Sequence, residues 1–478
     1  MLTEAAHSTE ARTSVRLPFA ALILAMLPAV LDQTILATAL PTIATDLGRL
    51  SDVSWLVTTY VVAATASTPL WGKLGDRHGR RKLLLIALSL FLAASAACGV
   101  AQDLTQLIVV RGVQGVAAGG LMTLAMAAVG DLVAPRERGR YQGYITAAFA
   151  AATVLGPLVG GLLVEHASWR WVFYVNLPVG AAALLALGTT LPAGAPDRPQ
   201  PRLDVLGATL LAGATTALML TCLWGGSRYD WTSAPVIALV VATIALAGAL
   251  VLRERRAEDP IVPLGMLTAR PVAEASAAQF LATSSLFAVT VFVPLFLQAV
   301  TGATPTQAGL LLVPMMAGTT LSTILSGRAM SRTGRYKRFP LLGLGLMTAG
   351  LVLLGAFAPQ RSAALVLGAL VVFGLGFGMV SQILIVAVQN SVEPQRLGTA
   401  TAATSFFRAL GGAVGAAVLG ALFEARSGTQ AAALQGLDPA TLQGLSDAVQ
   451  TVFLSAAPLA ALALLVVTAL PEVPLRRA

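Results

Sequence analysis

The chain has 478 residues, 56% of them hydrophobic and 11% charged, with a mean hydropathy of +0.79. A water-soluble globular domain is excluded by so little charge, and a transmembrane barrel by apolar runs that do not alternate with polar residues. The formal net charge of +9 is no sign of nucleic acid here, because in a membrane protein Lys and Arg report first on loop orientation.

A bilayer core of about 30 Å requires about 20 apolar residues per helix. Polar residues run through Arg16, and the first apolar run contains Asp32, which fits a retained span better than a cleaved signal peptide. Spans are predicted over 17–40, 53–72, 82–101, 106–130, 141–164, 169–191, 204–226, 233–252, 273–299, 306–328, 339–358, 361–386, 397–423 and 449–470, fourteen in all. Placing the N-terminus in the cytoplasm puts most basic residues inside. They are Arg12 and Arg16, then Lys73 to Lys82, Arg136 to Arg140, Arg198 and Arg202, Arg253 to Arg270, Arg328 to Arg338, Arg396, and Arg476 with Arg477. Outside segments hold Arg49, Arg170, Arg228, Arg361 and Arg426. This bias predicts cytoplasmic termini and an even number of spans in a plasma or inner membrane.

The loop after span 2 recurs after span 10: Gly72, Arg77, Gly79, Arg80 and Lys82 return as Gly327, Arg332, Gly334, Arg335 and Lys337, an offset of 255. Leu155-Gly156 returns at the same offset as Leu410-Gly411. The expected architecture is an all-α polytopic membrane protein with two six-helix bundles, residues 1–191 and 273–478. Residues 192–272 are then a linker carrying two inserted helices, entered through the Pro-rich stretch from Pro192 to Pro201. Between spans 13 and 14 a polar stretch, 425–448, has room for a short interfacial helix.

Asp32 is an ionisable group inside an apolar helix, which costs several kcal/mol unless paired, hydrated or protonated. It reads as a proton-coupling group ahead of a structural aspartate. Span 1 runs outward and span 4 inward, so Asp32 and Arg111 share a depth of about 9 to 12 Å from the outer ends. Arg111 is therefore either the partner of Asp32 or a brace for span 4. Gly156, Pro157, Gly160 and Gly161 give span 5 a small-residue face and a proline bend. Asp76, Arg77, Arg80 and Arg81, with Asp131, are candidates for charge pairs holding the halves in one state, and also serve as topology signals. Arg408 in span 13, and Glu165, Glu424 and Glu274 near span ends, are auxiliary candidates; His166 beside Glu165 is another at that end. Substrate contacts are sought among Gln33, Gln114, Gln279, Gln298, Gln382, Gln389 and Asn390.

Cys98 and Cys222 lie in separate apolar runs and His7, His78 and His166 are dispersed, so neither a disulfide framework nor a metal site is expected. The phosphate-binding Gly-x-x-x-x-Gly-Lys-Ser/Thr loop is lacking. The expectation is a transporter and no enzyme, with no cofactor, powered by a proton gradient.

The segment from Gly72 to Lys82 (GKLGDRHGRRK) resembles the signature loop of the major facilitator superfamily, and it falls between spans 2 and 3 as that loop does. Three further segments resemble its fourteen-span drug:proton antiporter family: Leu31 to Ile43 (LDQTILATALPTI), Leu155 to Gly161 (LGPLVGG) and Ser168 to Pro178 (SWRWVFYVNLP). Ala37 stands where that family often has Asn, and Ala152 where it often has Gly. The resemblance implies multidrug efflux: export of a lipophilic small molecule in exchange for protons by a monomeric chain, with no nucleic-acid partner. The LGPLVGG segment carries the direction. An exporter of lipids or endogenous metabolites, and a non-transporting membrane sensor or scaffold, are the alternatives.

Overall fold

A computed structural model describes residues 2–47, 50–192, 204–226, 228–257, 259–261, 263–301, 310–360, 362–427 and 439–475. Arg49, Arg198, Arg202, Arg361, Arg476 and Arg477 lie outside the described residues, as do the first residues of the expected tenth span. The helices in chain order are α1 (Leu2–Leu47), α2 (Leu50–His78), α3 (Arg80–Val100), α4 (Leu104–Leu132), α5 (Arg138–His166), α6 (Trp171–Tyr174), α7 (Asn176–Thr190), α8 (Val205–Trp224) and α9 (Ala234–Glu254). They continue as α10 (Leu264–Leu267), α11 (Arg270–Thr301), α12 (Val313–Thr333), α13 (Arg338–Phe357), α14 (Ala363–Gly378), α15 (Ser381–Ser391), α16 (Leu397–Ser427) and α17 (Pro439–Ala469). Among the described residues there is no strand, apart from one isolated bridge between Gly225 and Tyr229.

Thirteen helical stretches among the described residues are long and apolar enough to cross a membrane. The tenth expected span is α12, which starts at Val313 where the apolar pattern predicts 306. Its hydroxyl content lowers its hydropathy: Thr319 donates to the Gly374 carbonyl at 3.1 Å and Thr323 to the Gly378 carbonyl at 2.8 Å. Packed between α5 and α14, the helix turns these hydroxyls toward its neighbours while Leu321 and Leu325 stay exposed on its other side. Two expected spans are broken. The sixth divides at Val175 into α6 and α7, and the twelfth at Met379 and Val380 into α14 and α15, where tight turn bonds to Gly376 and Phe377 replace the helical pattern. Residues 439–448 belong to the last helix, α17, and are no separate interfacial helix; 428–438 lie outside the described residues.

Each half has its own core. One cluster draws its buried residues from Met266 to Leu475; two others draw theirs from Phe19 to Leu191, joined by Ile385. The internal repeat has a backbone counterpart, since Gly79 and Gly334 both hold positive φ, 86° and 71°. Only glycine takes that conformation without strain, at the point where each repeated loop turns. Gly156 of α5 abuts Thr34 of α1, while Gly411 of α16 abuts Phe280 of α11. The halves meet along α2 with α16 and along α5 with α12, and α8 and α9 form a hairpin laid on α2 and α16. Only 6% of the apolar stretch of α9 is buried, with Ile244 69% exposed, as a lipid-facing helix requires. Trp55, Trp224 and Tyr229 cluster with Arg228 at the end remote from the basic loops, where amphipathic rings suit a membrane interface.

Small residues set the helix spacing: a Cβ on Gly115 of α4 stands 2.4 Å from the Tyr60 carbonyl of α2. Gly115→Val is expected to cost about 1–3 kcal/mol through overpacking, whereas Gly345→Ala, which meets no atom within 4 Å, should be neutral. Thermal unfolding midpoints in detergent check both, and equal midpoints for G115V and the wild-type protein would contradict this close approach.

Candidate functional site

Asp32 of α1 and Arg111 of α4 form an ion pair in which both side chains are 1% exposed. Arg111 also bonds the Gln114 Oε1 at 2.7 Å and the Leu56 carbonyl at 3.3 Å, and its guanidinium lies 4.2 Å from the Tyr60 ring centre. The other oxygen of Asp32 accepts from Gln114 Nε2 at 3.0 Å and from Asn176 Nδ2 at 3.2 Å. Asn176 donates to Ser95 Oγ at 3.0 Å, and Ser95 donates to the Phe173 carbonyl at 2.9 Å. Five helices, α1, α2, α3, α4 and α7, thus close on one polar cluster inside the first half. Desolvating two charges is repaid only when such hydrogen bonds complete the Coulombic pair. Asn176 reaches the cluster because the break at Val175 makes it the first residue of α7.

Of these, sequence reasoning finds Asp32 and Arg111. It takes Gln114 for a substrate contact and overlooks Asn176, Ser95 and Tyr60. A single buried Asn in an apolar run was the available signal. Among the other candidates, Asn390 bonds the Val473 carbonyl at 3.2 Å, Gln279 bonds Ser381 Oγ at 2.9 Å, and Gln389 bonds Thr401 Oγ1 at 3.0 Å. These are bonds within the second half. Gln33 and Ala37 lie on the exposed stripe of α1, and Gln298 and Gln382 are half-buried.

The signature loop differs from its expected action. Arg80 pairs with Asp76 at 2.7 Å and with Asp131, so these charge pairs stay inside the first half. The link across halves is Asp76 itself, which accepts from the Gly398 and Thr399 backbone N–H groups at 2.8 and 2.7 Å and from Thr399 Oγ1 at 2.8 Å. It caps the first turn of α16, where orphan N–H groups and the helix dipole favour an anion. Local charge pairing was readable in the sequence, but a helix end 322 residues away was not. Arg77 lies 4.0 Å from Asp259, and Arg81 bonds the Gly188 carbonyl.

A second link, unforeseen in the sequence, has the opposite sign. Arg136 donates to the Ser331 and Arg332 carbonyls at 2.6 and 2.7 Å, at the C-terminal end of α12. Beside it a Cβ on Gly327 falls 2.1 Å from the Gly139 carbonyl, and Gln389 of α15 reaches the Met126 carbonyl of α4 at 3.3 Å. The halves are therefore closed against each other at the face that carries the basic loops.

Gly156 and Gly160 pack on Thr34 and Thr38 of α1, whereas Gly161 meets no atom within 4 Å. Pro157 lies within an uninterrupted α5, as Pro28 lies within α1. Arg408 is half-buried about 16 Å along α16 from its start. It makes no hydrogen bond or ion pair with another described residue. Glu165, His166 and Glu424 are exposed, as solvated end positions are, and Glu274 pairs with Arg270 at 3.3 Å. No cluster of potential metal ligands occurs among the described residues.

A family model described as the Major Facilitator Superfamily matches residues 22–416. The chain belongs to that superfamily, and its many membrane-length apolar helices make it a multi-pass membrane protein. It is 39% identical over 405 residues to an uncharacterized MFS-type transporter of Mycobacterium tuberculosis (strain H37Rv), an alignment covering 85% of this chain and 59% of that protein's length. To the multidrug transporter protein MdtP of Bacillus subtilis (strain 168) it is 35% identical over 422 residues, 88% of this chain and 78% of that one. The fold matches that of the proton:xylose symporter XylE with a TM-score of 0.68 at 15% identity, covering 96% of this chain and 97% of that one.

Removing one partner of a buried pair leaves an uncompensated charge. Arg111→Gln is expected to lower stability by about 3–5 kcal/mol, and adding Asp32→Asn should recover much of that loss. Unfolding midpoints of the single and double variants in detergent decide this, and a double variant no better than R111Q alone would argue against direct coupling.

Proposed function

We propose that the chain is a proton-coupled antiporter that exports lipophilic, drug-like small molecules by alternating access. It acts as a monomer in the plasma or inner membrane, with the basic face and both termini in the cytoplasm. The observation that carries the reading is the buried Asp32 cluster, because ionisable groups within membrane spans concentrate on ion and proton pathways. Protonating Asp32 removes the charge that balances Arg111. The proton-bound cluster then favours another arrangement of α1, α4 and α7, which is the differential interaction a conformational change requires. The two halves rock as two bodies, and the α8–α9 hairpin rides on the seam.

The energies are commensurate. A proton crossing a potential of 100 mV contributes about 2.3 kcal/mol, and a helix cap is worth about 0.5–2 kcal/mol. One proton thus suffices to break a contact of the Asp76 or Arg136 kind. The closed basic face corresponds to the state in which cargo leaves outward. Outward export of lipophilic cargo is supported by the resemblance of the Leu155 to Gly161 segment and by the relative named a multidrug transporter.

In proteoliposomes with an imposed pH gradient, the wild-type protein is expected to move lipophilic dyes or antibiotics. Asp32→Asn, which strands Arg111 and so lowers stability, is expected to be inactive even where its unfolding midpoint shows it folded at the assay temperature. Undiminished gradient-driven transport by D32N would overturn the coupling. The two links at the basic face generate a separate expectation. Asp76→Ala and Arg136→Ala, each removing about 1 kcal/mol, should raise basic-side maleimide labelling of a Gln389→Cys reporter about fivefold. Labelling rates unchanged in both variants would show that neither contact holds the face shut.

A further inference from the structure

A cavity of about 250 Å³ lies between the α8–α9 hairpin and the seam where α2 meets α16. Leu211 and Leu218 of α8, Ala247 and Leu250 of α9, and Phe407 and Leu410 of α16 form its walls, which are almost wholly apolar. Along α9 the lining runs from Thr243 to Glu254, about 16 Å at 1.5 Å per residue. Farther from the basic face the same helices close up, with Val62, Met219 and Ala413 packed in one buried cluster. The cavity therefore starts at the basic-side boundary and stops near the bilayer midplane, half of a core about 30 Å thick.

Size and chemistry select the occupant. Sites for drug-sized ligands run to about 300–1,000 Å³ and contain several converging polar groups; this one is smaller and nearly without them. A hydrocarbon chain as deep as one leaflet fits both its length and its lining. At the mouth, Arg253 is held by Asp204 at 3.0 Å and Lys73 by Asp259. Arg255 and Arg256, which directly follow the lining residue Glu254, are exposed and in no ion pair with a described residue. Exposed cations at a membrane boundary attract anionic headgroups.

We propose that one acyl chain of an anionic phospholipid from the basic-side leaflet occupies this cavity, with its phosphate against Arg255 and Arg256. The chain touches the inserted hairpin and Phe407 of the second half together, so the lipid sits where α2 and α16 must shift when the halves rock. The proposal needs the membrane setting and the fold, and does not depend on the cargo.

The test is native mass spectrometry of the full chain after reconstitution in equal parts phosphatidylglycerol and phosphatidylcholine. The wild-type protein should retain one phospholipid, phosphatidylglycerol favoured about fivefold or more. Ala247→Phe, which fills the cavity from its lipid-facing side, should retain none while unfolding at the wild-type temperature. The surface variant Arg255→Ala/Arg256→Ala should retain a lipid with no headgroup preference. A wild-type protein free of bound lipid, an A247F variant that keeps it, or an unchanged preference in the double variant would each overturn the proposal.

Discussion

Two charges in a medium that cannot solvate them organise the first half. Asp32 and Arg111 are each about as buried as the aliphatic core around them. Their attraction offsets desolvation only while Gln114, Asn176 and the Leu56 carbonyl hold them in register. That requirement ties the angles of α1, α2, α4 and α7 together, because a shift of any one helix strands a donor or an acceptor. A cluster of this kind is stiff in one protonation state and has reason to rearrange in the other.

The contact between halves is governed by different physics. At the basic face the chain sets helix termini against side chains of suitable sign, Asp76 at the start of α16 and Arg136 at the end of α12. Both contacts exploit peptide dipoles already present at those ends, so each is worth about 1 kcal/mol and is reversible. The close approach of Gly139 to Gly327 and of Gly72 to Ala402 lets these groups reach one another. Strong pairing inside a half and weak, directional contacts between halves together suit bodies that stay rigid and move relative to each other.

The inserted hairpin belongs to neither core. It rests on the seam through α8, shows α9 to the lipid, and is fastened at its basic end by the Asp204–Arg253 pair. Packing is tight at the outer end and open near the basic face, so the seam is covered without being locked.

By itself the sequence determined the membrane class, the number and order of the spans within one helix, the repeat and its paired turn glycines, and the intramembrane charges Asp32 and Arg111. Hydropathy, loop charge and glycine backbone freedom are local properties, and a bilayer turns them directly into topology. Only the tertiary structure decided that Gln114, Asn176 and Ser95 converge on Asp32, that Asp76 works on α16 while its ion pairs stay at home, that Arg136 matters, and that two spans break. Those outcomes depend on which helix faces which across 81 to 322 residues of chain, a matter of packing small residues at close range that the pattern along one strand of sequence does not contain.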